Sequence, residues 1–168
     1  FFVKPQNNLI LEADFLNKSF ERQMNAYGGL LQIARSAYKT NPRFLEQDVF
    51  SRFVEDAQVT TYYQGVQAVG FALWQPASGG NTSNKAPTLA IAPQNDANKA
   101  VFNYDMYTND LRRAAIDQAR TTGRLQITKV LKLQQEENKA HVEGFLMLVP
   151  VWDQDKLKGF LYLAIRTD

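Results

Sequence analysis

The chain has no cysteine and one histidine in 168 residues. Without cysteine there is no disulfide, no thiol nucleophile and no thiolate metal site. This absence does not fix the compartment. The lone His141, beside Asn138-Lys139-Ala140, leaves the usual transition-metal clusters short of ligands. No apolar run approaches the roughly twenty residues that cross a bilayer, and no signal-peptide pattern is visible. Net charge is only +2, with Lys and Arg spread along the chain, so no nucleic-acid partner is expected. The phosphate loop Gly-Lys-Ser/Thr, the dinucleotide fingerprint Gly-x-Gly-x-x-Gly and the elbow Gly-x-Ser-x-Gly are all missing. Two carboxylate pairs, Glu136-Glu137 and Asp153-Asp155, fall in turns, where solvation accounts for them. A two-carboxylate hydrolase is the remaining enzyme alternative.

What is present begins with a long helix. From Gln6 to Lys39, Leu16, Phe20, Met24, Tyr27, Leu31, Ala34 and Tyr38 recur every three or four residues. Gly28-Gly29 within it mark a bend or a close contact. Such length suggests a stalk with a partner helix; packing along a sheet is the alternative. Phe1-Phe2-Val3 before Lys4 reads either as the stub of a transmembrane helix or as a frayed apolar end. Asn41-Pro42 ends the helix. A second helix is expected over 44–57, then a turn at Tyr62-Tyr63-Gln64-Gly65. Val66 to Trp74 is apolar on both faces and reads as a central strand. Trp74 and Phe71 are either pocket walls or ordinary core aromatics. The polar loop 77–87 carries the glycosylation pattern Asn81-Thr82-Ser83, and Thr88 to Ala92 is a short strand.

The chemistry concentrates between Tyr104 and Trp152. Thr108 is placed to cap a helix whose first turn holds Asp110. Leu111, Ala115 and Ala119 form its narrow apolar face, Arg120 lies in its last turn and Gly123 supplies the left-handed stop. Leu125, Ile127, Leu131 and Leu133 then alternate with Gln126, Thr128, Val130 and Lys132, with Lys129 interrupting the apolar face, as in a half-buried strand. Gly144 to Val149 is apolar on both faces, and Leu157 to Ile165 is a further strand across the hairpin 153–156. A helix over one sheet face leaves a cavity near the Asp105 loop, a usual small-molecule site. Parity pairs Leu146 with Leu148 and Met147 with Val149 on opposite faces, without saying which face meets a ligand.

The order Asp105, Arg112-Arg113, Ala115, Ala119, Thr122-Gly123, Thr128, the 131–136 run, Gly144-Phe145, Pro150-Val151-Trp152, Gly159-Phe160 and Arg166 resembles the CHASE domain. That family comprises extracellular sensory modules of histidine kinases and nucleotide cyclases. The likeness is close over 104–166 and looser over 27–76. One departure is Asn103, where the family often has Gly; Asn tolerates a left-handed backbone better than most residues.

The resemblance implies an α+β fold: a long N-terminal helix, then one or two PAS-like antiparallel sheets with covering helices. It implies a stalk over residues 1–43 and a sensor region over 44–168. The domain would bind a small molecule, need no cofactor and perform no catalysis, the receptor carrying a kinase or cyclase across the membrane. Flanking membrane helices and a homodimer through the first helix go with that picture. In plant members of the family the signals are cytokinins, adenine derivatives, and an Asp matching Asp105 accepts their hydrogen bonds. By analogy the candidate contacts are Asp105, Tyr104, Met106, Tyr107, Leu131, Leu148 and Phe160, with Trp74, while Arg112 or Arg113 would clamp a carboxylate. The rival reading is an extracytoplasmic protein-interaction module whose cavity is filled by Trp74, Tyr104, Met106 and Tyr107.

Overall fold

The computed structural model describes residues 5–80, 82–134 and 142–167. Phe1 to Lys4, Asn81 of the glycosylation pattern, Glu136-Glu137 and His141 lie outside the described residues. Helix α1 runs Pro5–Thr40. Its proline sits in the first turn, where a missing N–H costs nothing. Asn41 then caps a short 3-10 turn, Pro42–Leu45, through its side chain. Helices α2 (Gln47–Asp56) and α3 (Val59–Tyr62) follow. The second helix is therefore shorter than 44–57. Strands β1 (Val66–Leu73) and β2 (Thr88–Ala92), the single turn α4 (Asp96–Lys99) and α5 (Asp110–Thr122) come next. Strands β3 (Gln126–Ile127), β4 (Leu131–Lys132), β5 (Glu143–Asp153) and β6 (Lys156–Arg166) complete the sheet.

The sheet is antiparallel, in the order β2-β1-β6-β5-β3, with β4 also paired to β5. β5 and β6 are joined by the two residues Gln154 and Asp155, the first with φ of 56°. Strand parity sends alternate residues of each strand to different cores. Val69, Phe71, Met147, Val149, Leu161 and Leu163 pack under α1 and α2 with Tyr27, Leu31 and Phe50. Ala68, Ala72, Leu146, Leu148, Phe160 and Tyr162 pack under α5 with Ala115, Ile116 and Ala119. The opposition of Leu146 and Leu148 to Met147 and Val149 is as the alternation implied.

Helix α1 has two parts by burial. Tyr27, Leu30, Leu31 and Ala34 are buried on the sheet, whereas Leu9, Leu11, Phe15, Leu16 and Phe20 are each about 60% exposed. It continues unbroken through Gly28-Gly29, with Gly28 lying against Leu125.

The expected strand over 125–133 is two short pieces. Ile127 stands opposite Met147 and Thr128 bonds Leu146, but Leu131 stands opposite Gly144. Lys129 and Val130 thus face the single residue Phe145, a bulge that shifts the register by one. Leu125 consequently packs with the α1 core, Ile127 is half exposed, and Leu131 and Leu133 cross to the α5 core. The four leucine and isoleucine residues do not share a face.

Two glycines give opposite expectations. A Cβ at Gly29 meets nothing within 4 Å, so Gly29→Ala stabilises the domain by about 1 kcal/mol through helix propensity. A Cβ at Gly159 collides with the Ala72 carbonyl and the Phe71 ring, so Gly159→Ala destabilises by about 1–3 kcal/mol. Urea denaturation midpoints measure both.

Candidate functional site

Segment 103–108 is laced to the start of β2. The Asn103 N–H donates to the Thr88 carbonyl, Thr88 N–H to the Tyr104 carbonyl and Met106 N–H to the Ala86 carbonyl, each at 3.0 Å. Asn103 sits at φ 66°, so the left-handed corner is kept by asparagine instead of glycine. Asp105 Oδ1 accepts the Ala86 N–H (2.8 Å) and the Tyr107 N–H (3.0 Å). It thereby caps a 3-10 turn, Met106–Thr108, which Thr108 closes by donating its hydroxyl to the Asp105 carbonyl.

The cap of α5 is Asn109, not Thr108. Its side-chain oxygen accepts the Leu111 and Arg112 N–H groups. Asp110 lies in the first turn as expected, and Gly123, at φ 70°, ends the helix. The buried stripe is Arg112, Ala115, Ile116 and Ala119, with Leu111 at its margin. Of the two arginines, Arg112 turns inward and is 4% exposed. Arg113 turns outward, pairs with Asp110 at 2.5 Å and donates to the Tyr107 carbonyl.

Arg112 places polar chemistry inside an apolar layer. Its Nη2 donates to the Lys132 carbonyl at 3.0 Å, and its guanidinium lies 5.5 Å from the Tyr104 ring centre. Burial pulls its pKa down, partly offset by Tyr104 and Tyr162. Tyr162 shares a 2.9 Å hydrogen bond with the Thr88 hydroxyl. Burial pushes the Tyr162 phenol up to about 12, against the Thr88 bond and the Arg112 charge. A Cβ at Gly70 would strike the Tyr162 ring, so glycine makes the space for it. Val101, Tyr104, Met106, Arg112, Gln134, Leu146 and Tyr162 enclose a cavity of about 10 Å³, room for about one water.

A second nest adjoins. The Trp74 ring meets Tyr107 and Phe160 edge-on, with centroids at 5.5 and 6.1 Å, and the Arg120 guanidinium lies 4.4 Å from its centre. Tyr107 donates its hydroxyl to Asp117 at 2.8 Å. Burial first, then that bond, raises the Tyr107 pKa.

Most of the residues singled out from the sequence therefore meet in one layer: Trp74, Tyr104, Met106, Tyr107, Leu131, Leu148 and Phe160. Asp105 borders it and Arg113 lies outside. Arg112 appeared only as one of two alternatives, and Thr88 and Tyr162 were missed. Two signals pointed to Tyr162 and Arg112. Tyr162 is two residues from Phe160 on β6, hence on its face, and Arg112 shares a 3–4 spacing with Ala115, Ile116 and Ala119.

One antiparallel sheet between a long helix and a short one, with convergent polar groups under the short one, is the architecture of PAS-like sensory ligand-binding domains. Within that class the chain belongs to the CHASE domain family, whose sequence profile matches residues 44–168. The family is one of extracellular sensory modules. The fold is shared with the ligand-binding domain of Mlp24 with asparagine, at TM-score 0.60 and 12% identity over 96% of this chain and 57% of that one. It is also shared with the ligand-binding domain of the Pseudomonas aeruginosa PAO1 amino acid chemoreceptor PctC in complex with GABA, at TM-score 0.55, 18% identity, 95% and 60%. The chain thus spans about six-tenths of those domains. No curated protein matches the sequence.

The Tyr162 phenol makes stability depend on pH in a defined window. Its folded pKa, about 12, lies above the ordinary value of 10.0. The folded form holds the proton more tightly, so the contribution is complete below pH 10 and is lost as pH rises towards 12. The size is about 3 kcal/mol. Denaturation midpoints measured from pH 9 to 12 should fall, and Tyr162→Phe should flatten that part of the fall.

Proposed function

We propose that the chain is the extracytoplasmic sensor of a transmembrane receptor with a histidine kinase or a diguanylate or adenylate cyclase output. A small molecule would bind between α5, segment 103–108 and the sheet. The observation that carries this reading is the convergence of Arg112, Tyr104, Tyr162 and Thr88 inside an otherwise apolar layer of a CHASE domain. Burying a charged or polar group costs stability even where local hydrogen bonds contain the loss, and such clusters in clefts are candidates for function. The 10 Å³ cavity means that a ligand larger than water displaces side chains as it enters. Asp105 is already engaged as a turn cap, so its second oxygen is the acceptor left for an adenine-type N–H.

The proposed location is the outer side of the cytoplasmic membrane, with flanking membrane helices. No helix among the described residues is long and apolar enough to cross one. Phe20, Gln23, Met24 and Tyr27 of α1 line one cleft with Ile165, Arg166 and Thr167, so the exposed part of α1 and the end of β6 lie together. That proximity supports signalling through both, with residues 1–43 as stalk and 44–168 as sensor. Ligand binding biases the pair only through its differential affinity for two arrangements. The exposed Leu9, Leu11, Phe15, Leu16 and Phe20 support dimerisation along α1. Leu16→Glu with Phe20→Glu should shift sedimentation from dimer to monomer; a parent that is monomeric at high concentration would remove the dimer.

A filled layer favours one rival, the protein-interaction module without a small-molecule pocket. Thermal melting against purines including cytokinins, amino acids and organic acids separates the two. A ligand at a hundred times its dissociation constant adds about 2.7 kcal/mol, a midpoint rise of roughly 5–10 °C. Asp105→Asn is the variant of choice, because Asp105→Ala strips two backbone N–H groups of their acceptor and costs about 1–2 kcal/mol. A rise in the parent, reduced in Asp105→Asn, is the expected result. No rise with any compound would turn the reading to the protein partner.

A further inference from the structure

Resting on the sensor reading, we propose that the ligand carries a carboxylate and that Arg112 is the group that binds it. Four observations carry this. Arg112 is 4% exposed, and its guanidinium, which lines the cavity with Tyr104 and Tyr162, has no carboxylate partner among the described residues. Its donors are engaged by the neutral Lys132 carbonyl and the Tyr104 side chain, acceptors that a planar anion can replace with a stronger two-point bond. The polar side chains that line the cavity with it are Tyr104, Gln134 and Tyr162, and none of them is a carboxylate. The three ion pairs of the described residues, Arg43–Glu46, Arg113–Asp110 and Arg120–Asp117, all link groups that keep substantial solvent exposure. Among the described residues the most deeply buried cation thus has no carboxylate partner, and an incoming anion relieves the cost of its burial.

The test pairs acids with neutral analogues: asparagine with asparaginamide, γ-aminobutyrate with its amide, and benzoate with benzamide. Melting midpoints and calorimetric titrations are run on the parent, Arg112→Gln and Arg112→Lys. Near-ultraviolet dichroism shows that each variant is folded. At least one acid should raise the parent midpoint by 5 °C or more while its amide does not. Arg112→Gln should weaken that acid tenfold or more, and Arg112→Lys should retain part of the binding. Glu136→Gln with Glu137→Gln should leave binding and melting unchanged. A melting loss in that double variant equal to the loss in Arg112→Gln would assign the guanidinium to those carboxylates and overturn the proposal. Equal stabilisation by acid and amide, or binding unaffected by Arg112→Gln, would overturn it too. Stabilisation by neutral purines alone would overturn it and leave the sensor reading standing. No stabilisation by any compound would remove both.

Discussion

The alternation along β5 and β6 is the constraint on which the rest of the structure depends. These two eleven-residue strands pair from Gly144 with Arg166 to Asp153 with Lys156, so each supplies both cores at once. Leu146, Leu148, Phe160, Tyr162 and Ala164 meet the α5 core, and Met147, Val149, Val151, Leu161, Leu163 and Ile165 meet the α1 core; past the irregularity at Val151-Trp152 the parity changes and Leu157 joins the α5 side. The faces are unequal in kind. Toward α1 the strands present Phe71, Met147, Val149, Leu161 and Leu163, a close-packed hydrocarbon layer. Toward α5 they present Ala68, Gly70, Ala72 and Ala164 among larger residues. Small side chains on β1 leave volume, and Tyr162 and Arg112 occupy it.

That choice carries an energetic cost. A buried guanidinium and a buried phenol give up water, and both pKa shifts follow from that loss. The cost is contained by local bonds: Thr88 to Tyr162, Arg112 to the Lys132 carbonyl, and the Tyr104 face beneath the cation. Each bond ties a different element to the same point. β2, β4, β6, α5 and segment 103–108 are thereby all sensitive to what occupies it. β6 also carries Leu161, Leu163 and Ile165 into the α1 core. A rearrangement at Tyr162 is thus one peptide unit from Leu161 and Leu163, which belong to the α1 core.

Legibility varied with the range of the interactions involved. The long helix, the doubly apolar β1 and β5, the glycine stop at Gly123 and the asparagine corner at Asn103 are local, and period or backbone preference marks them. The cap at Asn109 was assigned one residue early, because Thr108 and Asn109 are both good caps and only the preceding 3-10 turn decides between them. The bulge at Lys129 and Val130 left one local trace, Lys129 interrupting the apolar face, which by itself does not distinguish a bulge from a polar residue in a continuous strand. Its effect, sending Leu125 and Leu131 to opposite cores, appears only once β5 is in register. Most of the candidate layer was recognisable from the order of motifs, yet Thr88 and Tyr162 come from strands 74 residues apart.

The sequence by itself determined the class of structure: which segments are helix or strand, and which strands are buried on both sides. Those properties follow from side-chain period and backbone freedom, which operate over a few residues. It also carried the sensory family in the spacing of its motifs. Only the tertiary structure decided which of two adjacent arginines is desolvated and that Asp105 is already a turn cap. It alone showed that the layer beside Asp105 is filled down to about one water. These depend on what lies across the sheet, because burial and cavity volume are properties of two surfaces brought together.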